Sequence, residues 1–293
     1  MENNIKKILF DARISDENSL LPYYPRTRDN PDISVLKCKK SGVIVLSSTN
    51  HIEKSYYSKK DGFSYWAVDE RKKSINLGLE DILRRKALFQ NMLINRKWID
   101  IGTGSGGILD ELSHLASEVC AVEPQVDSME NLKKIGYNVF PSIKDVIKSD
   151  FDIATLFHVF EHFTNPIKDL KEIYNKMSSG GKVVIEVPHA NDFLISFLDH
   201  EDFKKFTFWS EHLILHTRHS LSCFIEGAGF EDIIITSCQR YPLANHLHWL
   251  SKSKPGGHEK WSFLRTPELD SAYTNMLSQL DKTDTLIAVA TKK

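Results

Sequence analysis

The apolar positions along this chain change period several times, and the changes mark out its elements. Over residues 79–93, LEDILRRKALFQNML places apolar side chains at the spacing of one helix face. From there short apolar or β-branched runs alternate with helical patterns. KWIDIG, EVCAVEP, YNVF, FDIATLFHV, KVVIEVP and EDIIITSC predict strands. GGILDELSHLAS, DSMENLKKIG, NPIKDLKEIYNKMSSGG (ending at its glycines) and HSLSCFIEGAGF predict helices, and PSIKDVIKS a short helical stretch. Such alternation builds an α/β fold, a doubly wound parallel sheet with helices on both faces. Upstream, LPYYPRTRDNPD reads as loop and ISVLKCKKSGVIVLSS as two β-rich runs around Lys39 to Gly42, a hairpin. Towards the end, a helix (ELDSAYTNMLSQL) precedes a last strand-like run, DTLIAVATKK, while QRYPLANHLHWLSKSKPGGHEKW fits neither regular period. The expected organisation is a small N-terminal module over residues 1–75 and a main domain over 76–293 that carries an insertion at about 240–262.

Composition narrows the partners. At 293 residues, 41% of them hydrophobic, the chain can fill one sizeable α/β core with appendages. Lysine and arginine (38) balance aspartate and glutamate (39), so there is no field to hold a polyanion, and nucleic acid is not an expected partner. The four cysteines, Cys38, Cys120, Cys223 and Cys238, are scattered, which excludes a disulfide framework or a cysteine zinc site and suits a reducing cytoplasm. No apolar run after the basic N-terminal residues, or elsewhere, reaches a spanning length. A soluble, unprocessed cytoplasmic protein without membrane insertion is expected.

Candidate chemistry concentrates after three strands. Asp100-Ile101-Gly102-Thr103-Gly104-Ser105-Gly106-Gly107 follows a strand and opens a helix, where glycines let the backbone approach a ligand and the helix start offers free N–H groups. The spacing is G-x-G-x-G, and Gly107 also completes G-x-G-x-x-G, so the glycines alone leave nicotinamide open as a cofactor. About 20 residues on, Glu123 ends a strand where a carboxylate can accept both hydroxyls of an adenosine ribose; a solvated glutamate is the plain alternative. His158-Val159-Phe160-Glu161-His162 satisfies H-x-x-E-H, the pattern of a zinc peptidase. It straddles a strand end and the turn before Asn165-Pro166, however, and two zinc ligands at i and i+4 need a helix. The histidines read better as lining the crevice at the carboxyl ends of the strands, and no metal site is expected. His189, Asn191 and Asp192 follow a further strand and either face the same crevice or form a turn. Tyr241, His246, His248, Trp249 and Trp261 give the insertion aromatic faces with polar edges, suited to sugar rings or to ordinary packing.

Taken in order, these stretches resemble the class I S-adenosylmethionine-dependent methyltransferases, and the resemblance covers the chain from about Trp98 to its end. WIDIGTGSGGIL is similar to the family's first motif, VCAVEP to its acidic second strand, and FDIATLFHVFEHFTNP to its fourth strand with an H-V-x-E-H ending. MSSGGKVVIEVP is similar to its glycine turn and fifth strand, and SEHLILHTRHSLSCFIEGAGF to the stretch before the sixth. The resemblance implies a Rossmann-like seven-stranded sheet whose last strand, DTLIAVATKK, runs antiparallel. It implies S-adenosyl-L-methionine as cofactor, with Gly102, Gly104 and Glu123 as main contacts and Asp100 holding the loop or the amino-acid end. Thr103, Gly106, Pro124 and Phe157 complete the cofactor side, with Ser142 or Ile143 beside the adenine. KCKKSGVIVL looks like the zinc-binding C-x-x-C-G hairpin of many sugar-modifying relatives, but Ser41 stands where the second cysteine would be, so the zinc site is lost.

Transfer to a hydroxyl needs its proton removed, a task for histidine near neutral pH. His158, His162 and His212 are the candidates, each alternatively a packed or capping residue, and Glu161 could orient one of them or bind acceptor hydroxyls. The expected function is methylation of a small polar acceptor, a hydroxyl of a sugar or glycan precursor such as a nucleotide sugar. A carbon- or nitrogen-methylating enzyme, a non-catalytic cofactor-binding module and a zinc hydrolase are the alternatives.

Overall fold

In the computed structural model, which describes residues 4–52, 56–57 and 71–293, the chain opens with helix α1 (Asn4–Asp11) and strands β1 (Leu20–Tyr24), β2 (Val35–Cys38) and β3 (Ile44–Leu46). Helices α2 (Arg71–Leu77) and α3 (Leu79–Leu93) lead into β4 (Lys97–Ile101), α4 (Gly107–Leu112), β5 (Glu118–Val122), α5 (Val126–Lys134), β6 (Val139–Phe140) and β7 (Phe151–Phe157). Then come α6 (Pro166–Lys176), β8 (Met177–Pro188), α7 (Glu201–Thr207), β9 (Ile214–Leu215), α8 (Arg218–Gly227) and β10 (Glu231–Cys238). The chain closes with α9 (Leu243–Lys252), α10 (Gly257–Lys260), α11 (Pro267–Gln279) and β11 (Thr285–Thr291).

The main sheet has the order β10-β11-β8-β7-β4-β5-β6, with β4 to β8 parallel and β11 antiparallel to both of its neighbours. The expected doubly wound sheet with an antiparallel last strand is therefore present. Its strand order reverses between β4 and β7, so the loops that follow these two strands part there and open a crevice. Local chemistry fixes the ends of several elements. Helix α3 buries Ile82, Phe89 and Leu93 along one stripe, α6 begins at Pro166, and Thr217 and Ser220 close a capping box on α8. Below the crevice, the indole of Trp98 donates to Thr155 Oγ1 at 2.8 Å and ties β4 to β7 inside the core.

Four readings of the sequence need correction. Residues 20–24 form an edge strand rather than loop: Pro22 needs no ladder hydrogen bond there, and the β1–β2 register shifts just after it. Helix α6 stops at Lys176, and Gly180 (φ +77°) and Gly181 belong to β8, where a Cβ on Gly181 would lie 2.9 Å from Ser178 O. PSIKDVIKS is helical only as a single tight turn over Ile143–Asp145. The insertion folds as α9 and α10, because its buried face is carried by Asn245, His246, His248 and Trp249, residues that a hydrophobic-period reading does not count as core.

The N-terminal strands do not stand apart. Strand β3 pairs with β9, Ile44 opposite Leu215 and Val45 opposite Ile214, so a four-stranded sheet of order β1-β2-β3-β9 is completed from the main domain. The hairpin lies where expected, with Cys38 buried and accepting at Sγ from Ser41 N. Of the span 1–75, residues 1–3, 53–55 and 58–70 lie outside the described residues.

Candidate active site

Strand β4 ends in a loop whose shape only glycine tolerates. Gly102, Gly104 and Gly106 adopt φ of +70°, +57° and +74°. A Cβ on Gly102 would sit 2.5 Å from Val159 Cγ2, in the loop after β7, and one on Gly106 would sit 2.4 Å from Leu132 Cδ2. The loop is anchored from behind: Gly102 N donates to Val122 O at 2.7 Å and Gly104 N to Glu123 Oε2 at the same distance. Glu123 Oε1 accepts from Gln125 N at 2.9 Å, so each oxygen has one donor and a lone pair to spare. Burial outweighs these two bonds and pushes the Glu123 carboxyl up to about 7. Thr103 Oγ1 is buried without a hydrogen-bond partner among the described residues. Asp100 turns inward and accepts from Thr155 Oγ1 at 2.5 Å, and burial raises it to about 6.

A cavity of about 1410 Å³ runs over this loop, more than one small ligand needs and enough for a cofactor with an acceptor beside it. Asp100, Gly102, Thr103, Glu123, Pro124, Ser142, Ile143 and Phe157 line it. Gly104 and Gly106 shape the loop without belonging to the described lining. Phe157 is packed between Phe89, 5.5 Å away, and the Arg85 guanidinium, 4.7 Å from its centroid.

The H-x-x-E-H segment, whose Val159 lies beside Gly102, does not have the helical peptidase arrangement. His158 is left-handed (φ +56°), and only a tight turn over Phe160–His162 follows it. That backbone turns its imidazole between two fully buried carboxylates: Nδ1 lies 3.1 Å from Glu161 Oε1 and Nε2 3.2 Å from Glu186 Oε1. Burial and Arg240 push its proton off, but Glu161 and Glu186 prevail and raise the His158 pKa. His158 is thus a clamp between two carboxylates, which favour its protonated form. His162 and His212 are different: their centroids lie 5.2 Å apart, both face the cavity, and burial lowers both, His212 to about 3, so they are neutral at pH 7. Glu161, which burial would raise, is drawn down to about 2 by His158, His162 and His212. Tyr57 from the N-terminal side places its Oη 3.4 Å from His162 Nδ1, and Trp209 packs edgewise on His212.

Some expected residues lie elsewhere. His189 is buried against Thr283 O at 3.0 Å and Asn191 donates to Asp281 O at 2.6 Å, so both hold the β11 side, while Asp192 caps the turn after β8 through Leu194 N and also touches the cavity. Within the insertion, Tyr241, His246 and Trp249 reach the cavity, although His246 also bonds Tyr273 Oη at 2.7 Å and Trp249 packs on Phe203. Sequence reasoning missed Glu186 with its partners Arg84 and Arg85, and the Asp81–Arg240 pair. The available signal was a lone carboxylate inside the apolar strand KVVIEVP.

Among known families, the model described as a methyltransferase domain matches residues 60–234. Solved structures share the fold. One is an S-adenosylmethionine-dependent methyltransferase from Archaeoglobus fulgidus (21% identity, 78% of this chain and 100% of that one, TM-score 0.53). Another, from Thermotoga maritima, is described as a possible histamine N-methyltransferase (18% identity, 78% and 97%, TM-score 0.51). No curated protein sequence matches the chain.

Proposed function

The chain belongs to the methyltransferase-domain family and is an S-adenosylmethionine-dependent enzyme, and from that premise we propose that its acceptor is a hydroxyl of a small polar molecule, a sugar or glycan precursor such as a nucleotide sugar. The carrying observation is the group of Glu161, His162 and His212, whose two histidines line the same cavity as the glycine loop. A hydroxyl, unlike a neutral amine, must lose its proton to become a good nucleophile, and two neutral imidazoles beside a carboxylate are suited to manage that proton.

The residues fit the cofactor: the space beside Gly102 is closed to any Cβ, and Glu123 keeps lone pairs for two ribose hydroxyls. In this reading Gly102 and Thr103 cradle it on a loop that Gly104 and Gly106 shape, Glu123 and Pro124 hold the ribose side, Ser142 and Ile143 flank the base, and Asp100 and Phe157 close the floor. The cofactor supplies a methyl group on a sulfonium, whose C–S electron pair leaves with sulfur. Glu161, His162 and His212 orient the acceptor oxygen and take up its proton. His158 fixes Glu161. In the same reading 76–293 is the catalytic domain, and Arg28, Asp29, Ile52, Tyr56 and Tyr57 of the N-terminal module help to enclose the acceptor. The reaction belongs in the reducing cytoplasm, in keeping with four free cysteines, and no helix among the described residues is long and apolar enough to cross a membrane.

An acceptor screen with isotopically methyl-labelled S-adenosylmethionine tests the reading, and resonance assignment locates the methyl on the product. A label on oxygen supports it; a label on carbon or nitrogen, or none on any sugar, overturns it. His162→Ala and His212→Ala should each slow single-turnover transfer by about 10²-fold or more while S-adenosylhomocysteine affinity stays within about twofold.

Glu123 also sets a pH dependence. Its folded pKa of about 7 lies above the ordinary glutamate value of 4.5, so its contribution to stability is present at low pH and lost as pH rises through about 7. Ribose binding needs the ionised form and runs the other way. Calorimetry should show S-adenosylhomocysteine affinity rising roughly tenfold between about pH 6 and about pH 8, and Glu123→Gln should remove that rise.

A further inference from the structure

Glu161, His162 and His212 each offer one ligand atom, and these atoms lie within 4.8 Å of one another. Among the described residues they are the one cluster with that geometry. Glu161 is fully buried; its Oε1 is taken by His158 Nδ1 at 3.1 Å, and its Oε2 has no hydrogen-bond partner. An orphaned carboxylate oxygen in the interior is costly and asks for a partner. The histidine beside it is set up to offer one. His162 Nδ1 is engaged with Tyr57 Oη at 3.4 Å, which leaves Nε2 facing Glu161, 3.9 Å from Oε1. A ring nitrogen fixed by an outer oxygen is the usual support of a metal-ligating histidine. The two supplying segments are latched together, since Leu213 N donates to Glu161 O at 3.0 Å, so His212 is held against the turn over Phe160–His162.

We infer that Glu161, His162 and His212 hold a divalent transition-metal ion, Zn²⁺ above all, with an open coordination position towards the cavity for the acceptor oxygen. Two imidazoles and one carboxylate form a zinc set that leaves a fourth position free, and imidazoles select against Mg²⁺ and Ca²⁺. Ligands about 2.0–2.1 Å from the ion lie roughly 3.3–3.6 Å from one another, so closure needs side-chain shifts of about an ångström. The inference rests on the proposed function and deepens it with one change, since the three side chains then act on the acceptor proton through the ion instead of taking it up themselves, and it departs from the expectation of no metal. A bound hydroxyl would lose its proton to water near neutral pH, the oxygen would form the new bond to the methyl carbon, and the C–S pair would leave with sulfur. This is not the peptidase arrangement, because His158 spends both ring nitrogens on carboxylates.

The test uses the whole chain, stripped with a chelator and titrated with Co²⁺, read by its visible d–d bands, and with Zn²⁺ by calorimetry. One equivalent should bind. Glu161→Gln, which keeps the side chain's shape, and His212→Ala should each weaken Co²⁺ binding at least about 100-fold while S-adenosylhomocysteine affinity stays near wild type, the second variant without loss of the His158 pairing. His219→Ala, which removes the partner 3.8 Å from Cys223 on the surface, should leave binding intact. No saturable metal binding by protein that still binds S-adenosylhomocysteine overturns the inference, as does binding lost in His219→Ala but kept in Glu161→Gln. Failure of the acceptor reading looks different: the metal binds, and no sugar hydroxyl is methylated.

Discussion

Glu186→Ala should lower the stability of the protein by roughly 3–5 kcal/mol, seen as a fall in melting temperature of roughly 6–10 °C. The carboxylate sits on β8 with no exposed surface. Arg84 Nη2 reaches it at 2.9 Å, Arg85 Nη2 at 2.7 Å and His158 Nε2 at 3.2 Å. Burial works against its charge, but Arg85, His158 and Arg84 together hold its pKa well below the ordinary carboxylate range. The variant strands those cations: Arg84 keeps Asp81 at 3.0 Å, whereas Arg85 is left over the Phe157 ring and His158 with Glu161 alone. The loss should depend on pH with a definite sign. A depressed carboxylate stabilises the fold above its unfolded pKa and ceases to do so as pH falls, so wild type and variant should converge in acid. Glu186→Gln, which retains an acceptor oxygen, should fall between them. Equal melting temperatures at neutral pH would show that the three cations need no carboxylate there.

The glycine loop and Glu123 were legible because their chemistry is local: a strand, a backbone that must turn left-handed, and a carboxylate one strand on. The sheet was legible because each strand carries its own apolar run. The pairing of roles around His158 was not. Whether that histidine faces a substrate or two buried carboxylates depends on Glu186 and Glu161, which reach it from another strand and from a left-handed turn, and neither periodicity nor spacing encodes that meeting. The insertion failed for a related reason. Its helix turns His246 and His248 inward because Tyr273 Oη and Lys254 O satisfy their ring nitrogens, and such partners lie outside any window of hydrophobic counting. Strand β9 is two residues long and exists by virtue of β3, so the join between the N-terminal strands and the main domain has no signature of its own.

Gly102→Ala should weaken S-adenosylhomocysteine binding by roughly 30- to 150-fold, equivalent to about 2–3 kcal/mol. Two costs meet at this position. At φ +70° any Cβ strains the backbone, and the one added here would lie 2.5 Å from Val159 Cγ2 and 3.0 Å from Cγ1. Relief by retreat is blocked, because Gly102 N is held by Val122 O and Gly104 N by Glu123 Oε2, each at 2.7 Å. The free direction for the loop is into the cavity, onto the proposed cofactor site. Steric and conformational costs can be separated by removing the obstacle: Val159→Ala deletes both γ-carbons and leaves φ unchanged. Calorimetry on the single and double variants forms a cycle in which Gly102→Ala/Val159→Ala should regain about half of the lost binding energy, the remainder being the price of the left-handed alanine. Wild-type affinity in Gly102→Ala would mean that the cofactor does not lean on this loop. Full recovery in the double variant would mean that Val159 alone sets the limit.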